Sequence, residues 1–265
     1  TDEDAGFSFT LPASSFTDVD VGDSLTYAAS LADGSPLPSW LSFDPATQTF
    51  SGTPLNEDVG ALSIRVIATD TAGANASQDF TVTVNNTNDA PVITSSGAAG
   101  FAENATGTVY TATATDVDVG TTLAYSISGA DAALFDIDAT TGVVTFKSSP
   151  NYEAPADAGG DNVYDITVGA SDGIVTTTKD VAISVSNVNE APTITSGSAV
   201  SFAERTKGAV YTVAATDQDA GATLTYSLTG TDAARFNINA TTGVITFKST
   251  PNYEAPADAG KNNVY

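Results

Sequence analysis

The sequence contains no cysteine, no histidine and no methionine. Without cysteine, neither disulfides nor thiolate chemistry can hold or power anything. Without histidine, the usual general base near neutral pH and the commonest zinc ligand are gone. Basic residues are scarce as well: 8 Lys plus Arg stand against 32 Asp plus Glu, for a formal net charge of −24. A surface field of that sign repels nucleic acid and anionic lipid, which excludes both as partners. No run of about 18 apolar residues occurs, so no segment reads as inserted in a membrane. The chain starts at Thr1, in mid-motif and without an initiator Met, and reads as a piece of something longer.

What is abundant is acid and self-similarity. A chain that stays compact against so much like charge is expected to bind cations, although a solvated acidic surface also serves solubility alone. Residues 90–164 align without a gap on residues 191–265, with roughly two thirds of the positions identical. A more distant copy precedes them: TDVDVG at 17–22 returns at 115–120 and becomes TDQDAG at 216–221. The expected domains are therefore residues 1–88, 89–189 and 190–265, joined by NTNDAP at 86–91 and NVNEAP at 187–192. Oxygen-bearing side chains ahead of a proline make a short, stiff connection that a hard cation can lock.

Alternating runs rich in Thr, Val, Ile, Tyr and Phe, bounded by Gly, Asp, Asn and Pro, have the period of strands. They fall in the first repeat at 6–11, 24–31, 39–44, 47–52, 61–70 and 79–86, and in the second at 107–116, 121–128, 142–148, 163–172 and 181–187. No sustained apolar period of 3.6 appears, so helix content is expected to be very low. Strands of this length in units of about 100 residues predict an all-β chain of tandem Greek-key immunoglobulin-like sandwiches. The third is incomplete, because Tyr265 is equivalent to Tyr164 and the counterparts of the last two strands are not in the sequence. The single Trp40 falls in the third strand run and is expected to pack between the sheets.

Each repeat carries a DxD pair, Asp18 with Asp20, Asp116 with Asp118, and Asp217 with Asp219. Two carboxylates two residues apart in an irregular loop can both turn toward one cation. A second acidic turn follows a late strand at Asp70 and at Asp172, and a glutamate follows the first short strand at Glu3, Glu103 and Glu204. An oxygen pair sits mid-repeat: Asn56 with Asp58, Asn151 with Glu153, and Asn252 with Glu254. Singly these are ordinary turn formers. Together they recur in one order along every repeat.

That ordered set resembles the cadherin family, whose repeats carry a Glu near the first strand, a DRE element, a DxNDNAP linker, a DxD element and an AxDxxG turn. FDIDATTGVVTF at 135–146 and FNINATTGVITF at 236–247 are similar to the cadherin FxIDxxTGxI signature. The first repeat, with LADGSPLPSWLSFDPATQTFSGTP, resembles the dystroglycan-type cadherin-like domain of bacterial surface proteins. The resemblance implies calcium as the cofactor, bound between successive domains. It assigns Glu3, Asn56, Asp58, Asn86, Asn88, Asp89, Asp116, Asp118 and Asp172 to the first joint. To the second it assigns Glu103, Asn151, Glu153, Asn187, Asn189, Glu190, Asp217 and Asp219. Asn86 and Asn187 stand where the family has Asp, the linker is one residue shorter, and the DRE element reads NED or NYE. About one to three calcium ions per joint are implied. Asp18, Asp20 and Asp70 face a joint whose lower partner would precede Thr1.

The function implied is a calcium-stiffened extracellular repeat module of a bacterial cell-surface or secreted adhesin. A binding module for like strings or for cell-surface polysaccharide is the alternative. An enzyme with paired carboxylates, such as a glycosidase, is disfavoured, because the acidic pairs recur in every repeat and an active site is normally singular.

Overall fold

The computed structural model describes residues 1–20 and 22–265; Val21 of the TDVDVG motif lies outside the described residues. The chain divides into two compact units. One is formed by Thr1–Gly97, Tyr110–Thr145 and Ile166–Val181, the other by Ala98–Val109, Phe146–Asp165 and Ala182–Tyr265. The division runs through the second repeat, so each linker, with the loops around it, falls inside one unit.

The first repeat contains β1 (Phe7–Thr10), β2 (Thr26–Leu31), β3 (Leu41–Asp44), β4 (Thr49–Gly52), β5 (Gly60–Thr69) and β6 (Asn75–Val84). They form two three-stranded sheets in the orders β1-β4-β3 and β2-β5-β6, between which the chain passes back and forth in Greek-key fashion. The core between them gathers Leu11, Leu41, Phe50, Ile64, Val66 and Val82. Phe50 is fully buried, lies tilted against Phe43 with ring centroids 4.5 Å apart, and meets Phe80 edge-on at 5.6 Å. Trp40 lies in the turn before β3, not within the strand, and is half-buried. Its ring meets Phe7 edge-on at 6.2 Å, so it closes the rim of this core.

The second repeat contains β7 (Val92–Ile93), β8 (Ala98–Ala102), β9 (Thr108–Thr111), β10 (Ala114–Thr115), β11 (Ala124–Ser128), β12 (Phe135–Ile137), β13 (Val143–Phe146), β14 (Val163–Ser171) and β15 (Thr176–Ser186). Its sheets run β11-β14-β15-β8 and β12-β13-β9, with β7 paired to β10. Along β14, Tyr164, Ile166 and Val168 are buried at alternate positions, the period-2 pattern of a core-facing strand. β8 joins β15 in parallel, Ala98 opposite Ala182. A single parallel bridge from Asp2 to Asn85 places the start of the first repeat in the same way. These parallel contacts set Glu3 and Glu103 at the ends of their repeats.

The third repeat contains β16 (Thr193–Ile194), β17 (Ala209–Thr212), β18 (Ala215–Thr216), β19 (Phe236–Ile238) and β20 (Val244–Phe247). β16 pairs with β18, and the other three form a sheet in the order β17-β20-β19. Neither 199–203 nor 224–229 is a strand here, although their counterparts β8 and β11 are. The cause is the ladder: β8 and β11 bond to β15 and β14, which have no counterpart up to Tyr265. An open cleft of about 1230 Å³ in this repeat is lined by Val200, Phe202, Leu228, Phe236 and Phe247. The described residues hold three single-turn 3-10 helices, at Asn56–Asp58, Ala132–Leu134 and Ala233–Arg235. Among the described residues no helix is long and apolar enough to cross a membrane.

The ATTG turns are fixed locally. Asp138 Oδ1 accepts the amides of Thr140 and Thr141 at 2.9 Å, and Asn239 does the same for Thr241 and Thr242. Gly142 then adopts φ +71°, and a Cβ there would lie 2.2 Å from the Ala112 carbonyl oxygen. Gly142→Ala is expected to cost about 2–4 kcal/mol, from a left-handed backbone and a collision with main chain. A fall in the urea midpoint at unchanged slope checks this.

A second local device is the loop after Pro155. Asp157, 7% exposed, accepts the amides of Asp161 at 3.0 Å and Asn162 at 3.1 Å. Burial would raise its pKa, but the amides of Asp161, Asn162 and Gly160 outweigh burial and leave it lowered. A lowered folded pKa contributes stability that is present above the ordinary aspartate value and lost as pH falls through the folded value. Asp157→Asn is accordingly expected to lower the melting temperature at pH 7 and to flatten its decline below about pH 4, read from a melting series across the acid range.

Candidate metal centres at the two joints

The first joint is assembled from five places, the 3-10 turn that carries Asn56 among them. The parallel bridge brings Glu3 to the end of β6, where its amide donates to the Asn85 carbonyl at 3.0 Å. The linker supplies residues 86–89, the loop after β10 supplies Asp116 and Asp118, and the turn after β14 supplies Asp172. Carboxylate oxygens of Glu3, Asp89 and Asp118 lie within 4.8 Å of one another. Glu3 is only 2% exposed; its Oε1 accepts the Thr87 amide at 2.6 Å, and its Oε2 is buried without a partner. Asp116 Oδ1 accepts the Asp118 amide at 2.9 Å, while Asp116 Oδ2 is likewise buried and unpartnered.

Three asparagines line the group. Asn56 Nδ2 donates to Asp89 at 2.6 Å, Asn86 Nδ2 to Asp118 at 2.8 Å, and Asn88 Nδ2 to Asp172 at 2.8 Å. Asp118 also accepts the Asp89 amide at 2.9 Å. Amides from Val175 and Ile174, and then Asn88, hold the Asp172 carboxyl below the usual range. Asp58 is used differently: its Oδ2 accepts the Leu55 amide at 3.0 Å and closes the 3-10 turn. That turn is what presents Asn56 to Asp89.

The second joint repeats the plan with longer acids. Oxygens of Glu103, Glu153 and Glu190 lie within 4.8 Å of one another. Glu103, 2% exposed, accepts the Val188 and Tyr152 amides, each at 2.7 Å. Asn187 Nδ2 donates to Glu153 at 2.7 Å and to Asp219 at 3.0 Å, and Asp219 also accepts the Glu190 amide at 2.9 Å. Asp217 Oδ1 accepts the Asp219 amide at 3.0 Å. Glu153 Oε2 and Glu190 Oε2 are buried without partners. Burial first, and then the charges of Glu103, Asp219 and Glu153, push the Glu190 carboxyl above the ordinary glutamate value, against the hydrogen bond from Asn104. Asn151 is turned elsewhere, to Gln218 at 3.3 Å, and Asn189 donates to the Glu190 carbonyl.

Two participants escaped the sequence reading. Asn104 donates to Glu190, and only its place directly after Glu103 could have flagged it. Asp23 joins Asp18 and Asp70 in a third carboxylate group with oxygens within 4.8 Å. That group differs from the joints, since Asp18 is exposed and, among the described residues, none of the three has a buried oxygen without a partner.

A family model described as "Putative Ig domain" matches residues 1–85. No curated protein matches the chain by sequence. Among solved structures, human CDH23 EC21-23 is 22% identical with a TM-score of 0.59, over 87% of this chain and 80% of that one. Mouse Cadherin-23 EC22-24 is 25% identical with a TM-score of 0.50, over 87% and 77%. A protocadherin gammaB7 EC3-6 cis-dimer structure is 18% identical with a TM-score of 0.54, over 86% and 61%. These likenesses show the fold, that of extracellular cadherin repeats.

Proposed function

We propose that this chain is a non-catalytic, calcium-stiffened extracellular spacer whose three repeats, with boundaries near residues 88 and 189, are held at the two linkers by bound calcium. The carrying observation is the set of buried carboxylate oxygens without partners: Glu3 Oε2 and Asp116 Oδ2 at the first joint, Glu153 Oε2 and Glu190 Oε2 at the second. A buried carboxylate oxygen facing other carboxylates costs several kcal/mol unless something cationic meets it. The donor set is all oxygen, carboxylates and side-chain amides with no nitrogen or sulfur ligand, which selects a hard cation. Calcium accepts about six to eight such oxygens and offsets their charge.

The chain's own residues do the rest. Glu3 and Glu103 tie the linker amides of Thr87 and Val188 to the repeat below. Asp118 and Asp219 tie the amides of Asp89 and Glu190 to the loop above. The asparagines now donate into the acids; a turn of about 180° about the terminal bond would present their oxygens instead. The likeness of the first repeat to cadherin-like domains of bacterial surface proteins supports a surface or secreted adhesin as its setting. Calorimetric titration is expected to give at least one calcium site per joint, with affinity of about 10⁻⁴ to 10⁻³ M. Small-angle scattering should then show a narrower distribution of dimensions with calcium than with chelator. No heat of binding and no change in scattering would end this reading.

A further inference from the structure

The position directly after the joint glutamate is built identically in all three repeats, yet its charge differs in each. Asp4, Asn104 and Arg205 all take left-handed backbone, with φ 56°, 58° and 56°. Their amides all donate to a proline carbonyl, of Pro54 at 2.8 Å, Pro150 at 3.0 Å and Pro251 at 2.9 Å. The turn therefore aims one side chain toward the same end of each repeat. Asn104 donates to Glu190 there. Arg205 reaches the two acids equivalent to Glu103 and Glu153: its Nη2 lies 3.4 Å from Glu254 Oε2 and its Nε lies 3.8 Å from Glu204 Oε2. The counterpart of the orphaned Glu153 Oε2 is thus met by a guanidinium.

We infer that this position decides which joints take a divalent cation, and that Arg205 serves as a built-in counter-ion which makes the Glu204–Glu254 end independent of calcium. The inference rests on the calcium reading of the two joints above. A guanidinium stays charged at every working pH and spans two carboxylates with a planar fork, so it supplies positive charge where an ion would otherwise be recruited. It also repels any divalent ion approaching the same oxygens. A string of repeats graded in this way would have some joints that loosen when calcium falls and others that do not.

The test transfers the device to the second joint, where the equivalent acids Glu103 and Glu153 stand together with the linker acid Glu190. Asn104→Arg, with Asn104→Lys as a second cation of different shape, is compared with the unaltered chain by calcium calorimetry and by melting in chelator. The expected result is loss of the second joint's calcium binding, or weakening by at least about tenfold, with the first joint's binding unchanged. In chelator the variants are expected to melt at or above the unaltered chain, because the added charge meets the orphaned oxygens. Unchanged affinity at both joints would overturn the inference, and so would melting of both variants below the unaltered chain in chelator. Failure of the unaltered chain to bind calcium would instead remove the reading on which the inference rests.

Discussion

In about 10 mM calcium the protein is expected to melt roughly 5–15 °C above its midpoint in chelator. Sites of about 10⁻⁴ to 10⁻³ M are then filled at ten to a hundred times their dissociation constant, which stabilises by about 1.4–2.7 kcal/mol per ion. The gain comes from the native state alone, since unfolding disperses Glu3, Asp89 and Asp118, which the fold brings from opposite ends of a repeat and from the next one. The gap between the two curves carries a pH signature. The Glu190 carboxyl is held above its ordinary value. A raised folded pKa makes the ion-free form most stable below the ordinary glutamate value, and that stability is lost as pH rises through the raised value. Calcium binding needs the ionised form, so the calcium advantage grows over the same interval and closes on acidification. Melting in matched buffers from about pH 4 to 7, with and without chelator, measures both halves of the statement. Curves that stay superimposed would leave the acidic joints as solvated surface.

The parts of this arrangement that could be read from residues are those in which a side chain's neighbours lie two positions away. β5, β6 and β14 announce themselves by alternation, and the ATTG turns by an Asp or Asn whose side chain bonds amides two and three residues on. The short strand ahead of Glu103, β8, is weak in intrinsic strand preference as AAGFA and is ordered by a parallel partner, β15, some 84 residues away by its register, which no local pattern gives. The LTYSLT stretch at 224–229 reads as a strand as convincingly as its counterpart β11, and is not one, because a ladder needs a second backbone that alternation cannot supply. The carboxylate groups divide in the same way. Glu3, Asp89, Asp118, Glu103, Glu153 and Glu190 stand in the ordered motifs, whereas Asn104 is brought to Glu190 from a left-handed turn and Asp23 to Asp18 and Asp70 by the fold. Asp58 shows the converse, a motif position whose oxygen is spent on the turn that aims Asn56.

The two buried glutamates look equivalent in sequence and are expected to behave oppositely when ions are absent. Glu103 spends both oxygens on backbone amides, of Val188 and Tyr152. Glu103→Ala strands both donors in a part-buried site, at about 1–3 kcal/mol each, so it is expected to cost about 2–6 kcal/mol even in chelator. It also removes one of the three acids whose oxygens lie within 4.8 Å of one another at the second joint, so that joint's calcium response is expected to be lost. Glu3 spends Oε1 on Thr87, leaves Oε2 buried without a partner, and brings a carboxylate oxygen within 4.8 Å of those of Asp89 and Asp118. Glu3→Gln keeps an acceptor for Thr87 and removes a repelling charge, so in chelator it is expected to be neutral or stabilising, by up to about 1 kcal/mol. In calcium its sign reverses, because a ligand charge is gone and the first joint binds at least about tenfold more weakly. Denaturant unfolding of each variant in the two buffers separates the cases. A Glu3→Gln variant destabilised equally with and without calcium would mean that Glu3 is a structural anchor like Glu103 rather than half of an ion site.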